Sequence, residues 1–166
     1  MLVRNIKLSV KINMCPLDIV ILRLQKKNIP FRNFGNFISF TKKFSFVIFR
    51  PSANHMTHVN ITKVPSLGKP VEKCLKNLSR LLRKEIIKFQ VDNIIATTDL
   101  YKKISLHKIS QMRNVNILYN SERFPGLFLK FGEGTTILYH SGKVVIVGCK
   151  TVKRIKKIKE WLTANI

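Results

Sequence analysis

Acidic residues are scarce in this sequence of 166 residues. The chain has 8 Asp and Glu against 31 Lys and Arg, which gives a formal net charge of +23. A fold does not require such an imbalance, so the charge indicates a polyanionic partner, with nucleic acid ahead of an anionic membrane surface. A generally basic, solubilising surface is the alternative explanation.

Cysteine is also rare. Cys15, Cys74 and Cys149 are far apart and odd in number. This excludes a disulfide framework and a CxxC zinc pattern, and it favours a reducing compartment. No apolar run approaches the ~20 residues that a membrane helix requires, and the first residues lack the apolar core of a signal peptide. We therefore expect a soluble, intracellular protein with no membrane partner.

Catalytic motifs are missing too. His55 and His58 have HxxH spacing, but no third metal ligand lies near them. The glycines at 132 and 134 are not followed by the Gly-Lys-Ser/Thr of a phosphate-binding loop, so they indicate a turn. The sequence predicts no enzyme activity, no metal, no cofactor and no small-molecule substrate.

What the chain does have is alternation. Residues 124–131, 135–140 and 143–149 carry apolar side chains at both parities. Strict spacing of two is typical of a β-strand, and each parity forms one face of a sheet. One face must be the core, so the other is either a second core face or an exposed apolar surface.

The chain also repeats itself. V-x-N-I occurs at 3–6 and again at 91–94, and an aromatic pair spaced by 15 residues occurs as Phe34 with Phe49 and as Phe124 with Tyr139. Each half closes with an amphipathic helical pattern. We interpret this as an internal duplication with a period of about 88 residues, in which repeats at about 1–88 and 89–166 form a single domain.

The same order of elements is predicted for both halves. Strands at 5–11 and 92–98 lead to helices near 16–27 and 104–112. Three strands follow in each half, at 34–40, 44–50 and 57–63 and at 124–131, 135–140 and 143–149, and the closing helices span 69–87 and 151–164. This predicts an α+β fold with one continuous antiparallel sheet. The helices suffice to cover one side only, so the other face stays open.

An open face with aromatic and aliphatic side chains on a basic protein is a contact surface. Apolar wedges with a basic rim are typical of proteins that bind the minor groove of duplex DNA. An aromatic platform for single strands is the alternative. The duplication favours the duplex, because a two-fold protein suits a two-fold ligand.

Four short motifs in the second half carry a resemblance to a known family. They are N-I-I at 93–95, F-P-G-L at 124–127, S-G-K at 141–143 and V-G-C-K at 147–150. Residues 93–166 resemble the second repeat of the TATA-binding protein family. The first half resembles the first repeat more weakly, through Asn5, Ile6, Phe34, Phe49 and its closing helix. The resemblance implies a saddle of two pseudo-dyad repeats with helices on the convex face, which bends A·T-rich promoter DNA through the minor groove.

The resemblance also implies roles for individual residues. Two aromatic pairs would intercalate between base steps: Phe124 with Tyr139, and Phe34 with Phe49. Asn5 and Asn93 match asparagines that hydrogen-bond base edges, and Thr62 matches a threonine that does the same. The residues that match the groove floor are Val47, Ile95, Ile137 and Val145, with Val147 in place of a threonine. Lys130, Lys143 and Lys150 match basic residues that contact phosphate.

Several positions depart from the family pattern. Lys7 and Asn60 stand where the family has apolar groove-floor residues, and Phe40 stands where an arginine meets phosphate. The bias towards Lys, Ile and Asn favours a divergent member, viral or from an A·T-rich genome. The resemblance implies transcription factor IIB and the RNA polymerase machinery as partners, and the nucleus of the cell or of a host cell as the location.

The sequence leaves three classes of function to be tested. The first is a promoter-binding initiation factor with a preference for A·T-rich DNA. The second is a protein of the same fold with weak sequence preference, which acts as an architectural or protein-recruiting factor. The third, an accessory module of an enzyme, requires a joined catalytic domain, and these 166 residues contain no sign of one.

Overall fold

Within residues 1–113 and 115–166, which the computed structural model describes, the chain forms ten strands and four helices. In chain order they are β1 (Leu2–Asn13), α1 (Leu17–Lys26), β2 (Phe31–Asn33), β3 (Phe37–Thr41), β4 (Ser45–Phe49), β5 (Met56–Val64), α2 (Lys69–Leu82), β6 (Ile86–Asp99), α3 (Leu106–Ser110), β7 (Asn116–Leu118), β8 (Gly126–Lys130), β9 (Thr135–Tyr139), β10 (Lys143–Cys149) and α4 (Val152–Asn165). The second half thus repeats the helix, strands and helix of the first.

The chain divides into two compact units. The first unit comprises residues 5–92, and the second unit comprises residues 1–4 and 93–166. In the first unit the strands lie in the order β2-β3-β4-β5-β1, and in the second in the order β6-β10-β9-β8-β7. Strands β1 and β6 are each divided by this boundary, so that residues 2–4 of β1 belong to the second unit and residues 86–92 of β6 belong to the first. The strand pairs within each unit are antiparallel, as the alternation predicted.

One face of each sheet is the core. In β1 the residues Ile6, Leu8, Val10 and Ile12 are at most 1% exposed, whereas the residues between them are partly exposed. In β9 and β10 the residues Leu138, Val144 and Ile146 are buried in the same alternating way. These side chains pack with the apolar stripes of the helices, for example Leu78 of α2 and Ile158 of α4.

We call the opposite face of each sheet, which carries no helix, the open face of that unit. Its side chains are half-buried by their neighbours in the sheet rather than covered by another layer. Both parities of the strands are nevertheless apolar in many places. Packing of the core therefore does not explain why the open face of each unit is apolar in many places.

Several predicted elements differ from the structure in their limits. The helix predicted over 69–87 ends at Leu82, because Arg83 adopts a left-handed conformation (φ 46°, ψ 44°), and β6 begins three residues later at Ile86. The strand predicted over 34–40 begins only at Phe37, as β3, and residues 34–36 separate it from the short strand β2, which was not predicted. Strands β2 and β7 lie at sheet edges and are three residues long, too short for a period of two to identify them.

No helix within the described residues is long and apolar enough to cross a membrane.

The three cysteines lie in the core and are free thiols. Burial raises the pKa of each thiol, and it raises the pKa of Cys74 to about 11. Cys74 is fully buried in α2, where its Sγ donates a hydrogen bond to the carbonyl oxygen of Val71 at 3.0 Å. The folded protein therefore holds this proton more tightly than the unfolded chain does.

This difference predicts a loss of stability at high pH. An unfolded cysteine ionises near pH ~8.5, so the stability that the raised pKa of Cys74 confers is present below that pH and is lost as the pH rises towards 11. We expect the free energy of unfolding, measured by urea titration between pH 8 and 11, to fall less steeply for Cys74→Ala than for the unmodified chain. Identical slopes would show that Cys74 does not titrate differently on folding.

Candidate nucleic-acid interface

Two asparagines occupy matching places in the two units. The Oδ1 atom of Asn5 accepts the backbone N–H of Lys63 at 2.8 Å, and the Oδ1 atom of Asn93 accepts the backbone N–H of Gly148 at 2.7 Å. Each acceptor lies beside an irregularity in strand pairing, between Ile6 and Leu8 of β1 and between Ile146 and Cys149 of β10.

The bulge explains why a side chain is needed there. Lys63 and Gly148 have φ values of 61° and 83°, so their strands bend and their N–H groups lose a regular ladder partner. The asparagine oxygen satisfies that donor. Because the donor is a backbone N–H, the atom facing it must be the amide oxygen, which leaves the NH2 group of Asn5 and of Asn93 to donate elsewhere.

The predicted aromatic pair of the second unit lies together. The ring centroids of Phe124 and Tyr139 are 6.2 Å apart, and Phe128 lies 5.1 Å from Phe124. Gly126 makes the approach possible, because a Cβ at this position would meet Cε1 of Phe124 at 2.7 Å and Cγ2 of Ile137 at 2.9 Å. Phe128 shares the parity of Phe124 in the sequence, but the sequence analysis assigned it no role at the site.

The predicted pair of the first unit is joined through a third ring. Phe34 is 53% exposed and stacks on Phe37, with centroids 4.6 Å apart, and Phe37 in turn lies 5.9 Å from Phe49. The sequence reasoning missed Phe37. Sheet register could have identified this residue, because Phe37 pairs with Phe49 in the sheet as Gly126 pairs with Tyr139.

A ring therefore stands in the first unit where a glycine stands in the second. In the first unit the ring of Phe34 therefore stacks on Phe37, whereas in the second unit the ring of Phe124 lies directly beside that of Tyr139, with the ring planes inclined by 56°. The two aromatic clusters consequently differ in both composition and exposure.

The predicted floor residues lie on the open faces. Each is half-buried and alternates with a fully buried neighbour: Val47 and Thr62 in the first unit, and Ile95, Ile137, Val145 and Val147 in the second. Val145 pairs across the sheet with Thr97, whereas Asn60 pairs with Ser9. The open face is thus largely apolar in the second unit and more polar in the first.

The three predicted basic residues are all exposed. Lys130 ends β8, Lys143 begins β10, and Lys150 follows the end of β10, so they lie at the ends of strands. Positive side chains placed there are free to contact phosphates on either side of a ligand held against the open face.

Phe40 does not lie at the rim. It is 5% exposed and stacks on Phe46, with centroids 4.8 Å apart, on the helix-bearing face of the first unit. The expectation that it replaces a phosphate-binding arginine is wrong, because the parity of β3 turns it towards the core. Exposed cations near that strand include Arg32, which pairs with Ser39, and Lys42 and Lys43 in the turn between β3 and β4.

Comparisons with known proteins agree with this geometry. Residues 88–165 match the model of a family described as transcription factor TFIID, or TATA-binding protein. The TATA-box-binding protein of Thermococcus celer is 33% identical over 73 residues, and that of Methanothermobacter thermautotrophicus is 33% identical over 73 residues. Each match covers 43% of this chain; it covers 38% of the first relative and 40% of the second. The chain thus spans about two fifths of the length of the curated relatives that it matches.

The fold likeness extends further than the sequence match. The solved structure of Methanococcus jannaschii TBP superposes with a TM-score of 0.76 and 20% identity, covering 98% of this chain and 95% of that one. The predicted fold class is confirmed by this comparison. The single-domain boundaries and the roles of individual site residues stay predictions.

The close approach of Phe124 to Gly126 generates a prediction of its own. Gly126→Ala places a methyl group within 3 Å of the Phe124 ring, so we expect the ring to shift away from Tyr139 and the protein to lose about 1–3 kcal/mol of stability, the usual cost of overpacking. Urea titration and ring-to-ring nuclear Overhauser effects measure the two changes. Pro125→Ala, at the exposed neighbouring position, serves as the control. Unchanged ring contacts in Gly126→Ala would contradict the prediction.

Proposed function

We propose that this chain is a divergent member of the TATA-binding protein family, which it matches in sequence over residues 88–165, and that it binds and bends A·T-rich duplex DNA through the minor groove as a transcription initiation factor. The proposal includes the nucleus, of the cell or of a host cell, as the location. It also includes general transcription factors such as transcription factor IIB, and the RNA polymerase machinery, as partners.

One observation carries the proposal. On the open face of the second unit, the aromatic pair of Phe124 and Tyr139, the free amide NH2 of Asn93 and an apolar floor lie in a single sheet. A·T pairs offer only acceptors in the minor groove, so an amide donor suits them. An apolar floor disfavours the exocyclic amino group of guanine, because burial against it would leave that donor unpaired.

In this proposal the aromatic rings bend the DNA. A ring inserted at a base step replaces part of the stacking that the step loses, and the resulting kink lets more of the open face contact the groove. Lysines at the strand ends, Lys130, Lys143 and Lys150, then neutralise phosphates. The excess of 31 basic over 8 acidic residues supplies the long-range attraction.

The first test compares duplexes. We expect the chain to bind and bend an A·T-rich duplex in preference to a G·C-rich duplex of equal length, measured by anisotropy and by end-to-end energy transfer. Phe124→Ala should weaken binding by about 1–3 kcal/mol, the contribution of one stacked ring, and should reduce the bend. Phe131→Leu removes a ring from the helix-bearing side, where Phe131 packs on Trp161, and is the matched control.

The first unit should respond less to loss of its predicted wedge. Phe34→Ala leaves Phe37 in contact with Phe49, so we expect it to affect binding and bending less than Phe124→Ala and less than Phe37→Ala. Equal affinity for the A·T-rich and G·C-rich duplexes would favour the architectural or protein-recruiting function instead.

Salt dependence provides a second, independent prediction. If roughly six to ten phosphates are neutralised, affinity for the duplex should fall by about three to five decades between 50 and 200 mM salt. The slope of the logarithm of affinity against the logarithm of salt concentration measures this directly. A nearly flat titration would point to a protein partner rather than to DNA.

A further inference from the structure

An acidic side chain lies on the open face of the first unit, where a polyanionic ligand would be expected to exclude one. The Asp92 carboxylate lies 3.7 Å from Nζ of Lys7, and it accepts hydrogen bonds from the Ser9 hydroxyl and, at 3.0 Å, from Nε2 of Gln90. Lys7 and Ser9 alternate with the buried Ile6 and Leu8, so these contacts place the carboxylate on the open face.

This acid is one of only 8 in the chain, and it immediately precedes Asn93. The Ser9 hydroxyl that it contacts also lies 3.3 Å from Oδ1 of Asn60, which pairs with Ser9 across the sheet. The first unit thus carries a polar cluster of Lys7, Ser9, Asn60, Gln90 and Asp92. At 22% exposed, the Asp92 side chain remains accessible from the open face.

The second unit carries the opposite charge at the matching position. Arg4 immediately precedes Asn5, as Asp92 precedes Asn93, and its Nε donates to Oγ1 of Thr97 at 2.9 Å. Thr97 pairs with Val145 as Ser9 pairs with Asn60. The Ser9 hydroxyl of the first unit therefore contacts a carboxylate, whereas the Thr97 hydroxyl of the second unit contacts a guanidinium.

These two groups suit different base pairs. A guanidinium only donates, so it matches the acceptors of A·T pairs and the negative potential of a narrow minor groove. A carboxylate only accepts and finds no donor on an A·T pair. The one donor that the minor groove offers is the exocyclic N2 amino group of guanine.

We propose that Asp92 makes the open face of the first unit a reader of the guanine 2-amino group, so that the preferred duplex carries a G·C pair at one position of an otherwise A·T-rich site. This inference rests on the proposed minor-groove function. The carboxylate has about four lone-pair sites, and its three protein contacts leave capacity for one more donor. Lys7, Ser9 and Gln90 hold it in place, and the positive charge of Lys7 offsets its repulsion of phosphates.

The experiment isolates a single functional group of the DNA. A G·C pair is scanned through an A·T-rich duplex, and at each position guanine is compared with inosine, which pairs with cytosine but lacks the 2-amino group. We expect the full chain to bind the guanine duplex more tightly at one position by roughly ten- to hundredfold, the range for one hydrogen bond to a charged group. Adding a 2-amino group to an A·T pair at that position, as 2,6-diaminopurine, should produce a similar gain.

Variants assign the effect to Asp92. Asp92→Ala should abolish the difference between guanine and inosine and should tighten binding to the A·T-only duplex, because it removes a negative charge from the face. Glu72→Gln, which removes a negative charge from the exposed first turn of α2, is the matched control and should keep the guanine preference. The guanine-to-inosine ratio does not depend on the fraction of folded protein, so a modest loss of stability does not obscure it.

The outcomes separate the two proposals. Binding to the A·T-only duplex with equal affinity for guanine and inosine at every position would overturn the reading of guanine but not the proposed function. A guanine preference that survives Asp92→Ala would overturn its assignment to this residue. Failure to bind any duplex would overturn the proposed function and this inference together.

Discussion

In each unit, alternate strand residues are buried against helices that cover one face of an antiparallel sheet. Because side chains in a strand alternate between faces, burial of Ile6, Leu8 and Val10 requires Asn5, Lys7 and Ser9 to face the other way. A register slip of one residue would expose the whole apolar set. Burial of the core therefore also determines which residues lie on the open face. The candidate ligand contacts that lie within strands follow from this constraint.

The asparagine bonds add precision at two points of the open faces. A regular ladder would satisfy the backbone N–H groups of Lys63 and Gly148, but the bulges remove those partners, and Asn5 and Asn93 replace them. The structural hydrogen bond orients the side chain for a functional one, because it uses the amide oxygen and leaves the nitrogen. The same hydrogen bond thus stabilises the bulge and leaves the amide NH2 group available as a donor.

The two units share this plan but differ in chemistry. The second has a glycine under its aromatic pair, an apolar floor and an arginine beside Thr97, whereas the first has Phe37 in the place of the glycine and a carboxylate beside Ser9. Sequence comparison follows the same division, since the family match begins at residue 88. The two units therefore share the buried apolar side of the sheet but differ on their open faces.

The sequence by itself determined the fold class, the repeat, the parity of most strands and the pairing of Phe124 with Tyr139, since these depend on local periodicity and on spacing along one hairpin. Only the tertiary structure decided which side chains meet across strands. The hydrogen bond of Asn93 to Gly148 joins residues 55 apart, and that of Ser9 to Asp92 joins residues 83 apart. Phe37 was missed and Phe40 was assigned to the wrong face for the same reason. Their neighbours and faces depend on sheet register, and register is set by the burial of the whole core rather than by any local pattern.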